Sequence, residues 1–96
     1  MNDFELELIK SNKIIFLNSL LYKYQFSEAF LIRNRDYYDS WHCLKSQKEL
    51  TPDFCFKYLY DNNTDSSDNW TDFYDIYNYF KEKYTFEELY EIYISI

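Results

Sequence analysis

Glycine is missing from this chain altogether, and proline occurs once. Tight hairpins need residues that accept positive φ, and without glycine only Asn and Asp remain to supply it. A hairpin-rich β protein is therefore disfavoured, and a glycine-rich phosphate loop is impossible. Cysteine is scarce as well. Cys43 and Cys55 show no metal-type spacing and read as small buried apolar side chains in a reducing compartment. A disulfide, or a metal pair with His42, is the alternative. His42 is the sole histidine and sits between Trp41 and Cys43. Sequence neighbours on a helix point apart, so the adjacent Cys and His do not make a nucleophile–base pair. No apolar run approaches a bilayer's thickness, and no charged-then-apolar leader is visible. The expectation is a soluble chain in the (host) cytoplasm. In that setting Asn62-Asn63-Thr64 and Asn69-Trp70-Thr71 are chance matches to the glycosylation acceptor pattern.

Bases are missing from one half. Residues 1–50 hold seven acids and seven bases, whereas residues 51–96 hold ten acids against Lys57, Lys81 and Lys83. The net charge of −7 thus lies wholly in the second half. That sign opposes direct binding to nucleic acid or to an anionic membrane. Aromatics, by contrast, abound, with 12 Tyr, 9 Phe and 2 Trp in 96 residues. This length makes one domain with one modest core, built from a neutral half (1–50) and an acidic half (51–96).

Local signals favour helices. Ser27, Thr51 and Thr85 read as N-caps, each hydroxyl placed to accept from a free N–H of the first turn. Pro52 follows Thr51 where a missing N–H costs nothing, and Glu88 completes a capping box with Thr85. The pairs Phe26/Leu31, Leu50/Cys55 and Tyr84/Leu89 have the spacing of hydrophobic staples. Lys13–Tyr24 reads as a central helix, Ser40–Ser46 as a short one, and residues 3–10 as a first short helix. A longer helix capped by Asp68 or Asn69 runs to about Lys83, with Phe73, Ile76, Tyr77 and Phe80 as its apolar stripe. The tail IYISI either finishes the last helix or forms a lone strand. The fold expected is all-α, a compact bundle of five to seven short helices with degenerate helix–turn–helix repeats.

The repeat is visible in the wording. Trp41-His-Cys-Leu44-Lys-Ser-Gln47-Lys-Glu-Leu50-Thr51-Pro-Asp-Phe54 resembles a short repeat of giant-virus, phage and low-GC bacterial proteins, which runs W-x-x-I, a Gln, then L-S-x-x-F-I. Phe26-Ser27-Glu28-Ala29-Phe30 matches its second half, and Trp70 with Phe73 the start of another unit. From Ser27 to Thr51 is 24 residues, while from Thr51 to Thr85 is 34. The resemblance implies stacked helical repeats of viral type and brings no catalytic residues with it.

Two constellations bear on function. Asp68, Asp72, Asp75, Tyr79 and Glu82 are spaced to line one face of a helix. Asp61 and Asp65 precede them, and Glu87, Glu88 and Glu91 follow. Carboxylates interspersed with tyrosine can imitate a phosphate backbone and offer acceptors to Arg and Lys; a solvated surface is the plainer reading. Oxygen-bearing residues from Asp61 to Asp72 also fall in EF-hand order. Ser66 stands there for the turn-making Gly, however, and Asp72 for the long bidentate Glu, so a polar loop is the simpler account. No cofactor, metal or catalytic residue is expected. In general character the chain is similar to small acidic anti-CRISPR and DNA-mimic inhibitors. The function expected is a non-enzymatic inhibitor, encoded by a phage or mobile element, whose acidic face docks on the nucleic-acid-binding surface of a host defence protein. Immunity against a basic nuclease toxin, a helical-repeat interaction module, and a calcium-binding loop are the alternatives.

Overall fold

The computed structural model describes residues 2–60 and 71–96, and these form an all-α structure of short helices. In order they are α1 (Asp3–Lys10), α2 (Leu17–Leu20), α3 (Glu28–Arg33), α4 (Ser40–Ser46), α5 (Pro52–Phe54), α6 (Phe73–Phe80) and α7 (Phe86–Ser95). A 3-10 turn, Lys13–Phe16, leads into α2, and another, Arg35–Tyr37, follows α3. α5 runs directly into a π-helical turn, Cys55–Leu59. The extended element among the described residues is one isolated parallel bridge, Tyr60 with Thr71.

The expected caps are present. Ser27 Oγ accepts from the Phe30 N–H (3.2 Å), Thr51 Oγ1 from Phe54 (3.3 Å) and Thr85 Oγ1 from Glu88 (3.1 Å). Each satisfies a donor that the first turn leaves unpaired, a contribution of about 1 kcal/mol. α1 and α6 begin with capping boxes too, built from Asn2 with Glu5 and from Asp72 with Asp75. The tail finishes α7 as helix.

Two helices are shorter than the periodicity suggests. Lys13–Tyr24 is not one helix. Asn12 holds φ 60°, the left-handed region, and Phe16 leaves helical geometry at ψ 18°. Of the apolar stripe Ile14, Leu17, Leu21 and Tyr24 that one continuous helix would present, the first three face the core, while Tyr24 is exposed. At its far end the carbonyls of Leu21 and Tyr24 are taken by the side chain of Gln47, so a tertiary contact replaces the next helical turn. The helix expected to reach from Asp68 to Lys83 spans Phe73–Phe80 instead. Asp72 is extended (ψ 178°), and its carboxylate captures the Asp75 N–H, which starts α6 there.

The core joins all the units. Leu17, Leu21, Phe30 and Leu31 from the first half are fully buried with Cys43, Cys55, Ile76 and Leu89. Short helices cannot bury their faces alone, so sharing one core is the condition for any of them to form.

Candidate functional site

The two sequence phrases that resemble one another turn out to be gripped in the same way. Glu5, 0% exposed, accepts from the Ser27 N–H (2.7 Å) and Ser27 Oγ–H (2.9 Å). One unit later, Glu28 accepts from the Thr51 N–H (2.7 Å) and Thr51 Oγ1–H (3.0 Å). A carboxylate of one unit thus holds the cap residue of the next. Gln47 is 2% exposed. Its Oε1 accepts from the Phe26 N–H (2.7 Å), and its Nε2 donates to the carbonyls of Leu21 (2.9 Å) and Tyr24 (3.0 Å). Gln25 answers from the other side, donating to Ser46 O (2.9 Å) and accepting from the Lys48 N–H (2.8 Å). These four residues are structural clamps whose roles the sequence does not announce. The signal available was their spacing, 23 residues from Glu5 to Glu28 and 22 from Gln25 to Gln47.

The acidic positions sort into several environments. Asp61, Asp65 and Asp68 lie outside the described residues, as does the rest of the EF-hand-like stretch up to Trp70. Asp72 and Asp75 serve each other's backbone at the start of α6, with Asp72 N–H to Asp75 Oδ2 at 3.2 Å and Asp75 N–H to Asp72 Oδ1 at 2.8 Å. Partial burial, with the neighbouring Asp72 charge, holds the Asp75 carboxyl above its usual range despite that backbone contact. Tyr79 is half-buried and occupied. Its hydroxyl donates to Gln47 O (2.6 Å) and accepts from the Leu50 N–H (3.2 Å), tying α6 to the α4–α5 connection. Burial raises its pKa.

The expected single row of carboxylates is therefore not formed. α6 ends at Phe80, so Glu82 lies past it, and Asp72 precedes it. Asp75 and Glu82 line a groove of about 550 Å³ floored by Leu44, Leu50 and Phe80. Lys45, Lys48 and Lys83 share its walls, as does Trp41. The fold sets two lysines of the neutral half on the same groove as these two carboxylates, which charge counting along the chain could not foresee. Glu88 and Glu91 line a different hollow, of about 450 Å³, together with Asp53 of α5. Glu88 also accepts from the Thr85 N–H (2.9 Å). Glu87 and Glu91 are exposed. Among the described residues the side-chain hydrogen bonds and the one ion pair involve neither carboxylate.

The remaining chemistry-bearing groups are accounted for within the fold. Cys43 and Cys55 are free, fully buried thiols. Burial pushes Cys43 up to about 12 and Cys55 higher still, so neither carries thiolate at neutral pH. His42 Nδ1 lies 2.5 Å from the Tyr22 hydroxyl, and its Nε2 lies 3.8 Å from Asp39 Oδ2. The Asn18 side chain binds Asp39 in turn, donating to Oδ2 (3.3 Å) and accepting from the Asp39 N–H (2.9 Å). That network fastens the residues around α2 to the start of α4. No described helix is long and apolar enough to cross a membrane.

Comparison with protein families, with curated proteins and with solved structures finds no match to this chain.

Proposed function

We propose that the protein is a non-enzymatic binding protein whose C-terminal region meets a cationic surface of another protein. One observation carries this reading. From Thr71 to the end the chain holds six carboxylates against Lys81 and Lys83, and α7 contains Glu87, Glu88 and Glu91 with no base at all. Unpaired like charge works against the compact state, so a surface that keeps it gains its return from a partner of opposite sign. The N-terminal half supports the same reading from the other direction. Its carboxylates Glu5 and Glu28 are consumed in clamps, and its net charge is zero.

Within that reading, the partner is the nucleic-acid-binding surface of a host defence protein such as a CRISPR effector or a restriction nuclease. The inhibitor is then encoded by a phage or mobile element. A nucleic-acid channel is lined with Lys and Arg for phosphate, and carboxylates at helical spacing compete for the same donors. An immunity protein against a basic nuclease toxin would use the same physics. The groove between Trp41 and Phe80 favours a second reading, an interaction module that takes an apolar segment there while the acids keep the surface hydrated.

The test is affinity capture with tagged protein at low and high salt, with duplex DNA as competitor. Nucleic-acid-binding proteins that are retained at low salt and displaced by both salt and DNA fit the charge-led reading. Partners that survive high salt and are unaffected by DNA contradict it and favour the groove.

A further inference from the structure

α6 and α7 face each other through a run of rings that continues to the surface. Ring centroids lie 6.3 Å apart for Tyr74–Tyr77, 5.6 Å for Tyr77–Phe86, 5.0 Å for Phe86–Phe73 and 6.2 Å for Phe73–Tyr90. The outer members remain open to solvent, with Tyr74 64%, Phe86 48% and Tyr90 49% exposed. Elsewhere in the molecule, three rings are covered by the chain's own cations. Lys23 sits over Tyr24, Arg35 and Lys57 over Tyr58, and Lys45 over Trp41. Among the described residues no such contact falls on the α6–α7 rings.

Carboxylates border these rings. Phe86 and Tyr90 are four residues apart and share one face of α7, while Glu87 and Glu91 form the parallel row one step around the helix. A ligand lying along α7 would therefore touch π-faces on one side and carboxylates on the other. The side chain that answers both is the guanidinium of arginine. Its plane stacks on an aromatic face, it is more weakly hydrated than an ammonium, and its fork meets a carboxylate through two parallel N–H donors. A lysine meets the charge but neither the plane nor the fork.

We infer that the Tyr74–Phe86–Tyr90 face with Glu87 and Glu91 is a docking site for an arginine-bearing segment of a partner protein. This rests on the charge-led reading above and adds to it a preference for arginine over lysine. The occupant is protein, and the charge argues for it: the same carboxylates repel nucleic acid and anionic lipid.

The experiment is calorimetric titration of the full chain at low salt with two short peptides of equal length and charge, one built on arginine and the other on lysine. The arginine peptide is expected to bind roughly five-fold tighter, the scale of a pair of partly exposed cation–π contacts. The variant Tyr74→Leu/Tyr90→Leu, with unchanged far-UV circular dichroism, should erase that difference while leaving the lysine peptide's affinity intact. Glu87→Gln/Glu91→Gln should weaken both peptides. Equal affinities in the unmodified chain would overturn the arginine preference and leave the charge-led reading standing. Binding of neither peptide would overturn both.

Discussion

Residues 2–60 and residues 71–96 are held together by different means. In the first region units are fastened to one another by side chains reaching across more than twenty residues: the buried Glu5 to Ser27, the buried Gln47 to the turn before Phe26, and the partly exposed Glu28 to Thr51. In the second, polar contacts are mostly local. The capping boxes at Asp72–Asp75 and Thr85–Glu88 bond only within their own helix starts, and one hydroxyl, that of Tyr79, reaches back to the body. Polar groups spent on long-range clamps are unavailable to a partner. Apart from the Tyr79 hydroxyl, the side-chain polar groups described in the second region are either idle, as at Glu87 and Glu91, or engaged at a helix end. The difference separates a body from a presented surface.

The largest effect expected from breaking this contrast is at Gln47. Gln47→Ala removes three hydrogen bonds that are shielded from water and leaves the Phe26 N–H and two carbonyls without partners. Each orphan costs about 1–3 kcal/mol, so a loss of roughly 3 kcal/mol or more in a urea titration is expected. Glu5→Ala strips the acceptor from Ser27 and from the Asn2 N–H, and about 2–3 kcal/mol is expected, since charged hydrogen bonds are the stronger kind. In the second region the comparable substitution is milder. Thr85→Ala removes one cap and is expected to cost about 1 kcal/mol. If Thr85→Ala proved as damaging as Gln47→Ala, the contrast between the regions would fail.

The smallest effect sharpens it by pH. Because the folded-state pKa of Asp75 is raised above the unfolded value, the folded protein binds that proton more tightly than the unfolded chain. The resulting stability is present below the unfolded carboxylate pKa and is lost as pH rises through the folded one. Asp75→Asn keeps an acceptor for the Asp72 N–H but removes the titration. Its stability should exceed the unmodified protein's slightly at neutral pH and converge with it in acid. Parallel pH profiles for the two would show that Asp75 carries no such strain.

Much of the fold is legible in the sequence because caps and stripes are local. Ser27, Thr51 and Thr85 need only the next three residues to act, and Ile76 and Phe80 only the helix that holds them. Helix length is less legible where a distant side chain intervenes. Nothing near Leu21 tells that Gln47 will occupy its carbonyl, so a twelve-residue helical pattern gives way to two short turns. The candidate site suffered in the same way. Asp75 and Glu82 read along the chain as uncompensated charge, yet packing sets Lys45 and Lys48 on the same groove. Tyr79 reads along the chain as a member of the acidic row and is in the structure a fastening of α6 to the body. What periodicity does convey is the composition of α7, whose carboxylates stay exposed because no base lies within reach along its own length.

Hydrogen exchange mapped along the chain, with and without a bound cationic partner, tests the division most directly. Added protection concentrated in residues 71–96, with residues 2–60 unchanged, is the expected outcome. Protection confined to the neutral portion, with α6 and α7 exchanging as before, would contradict it.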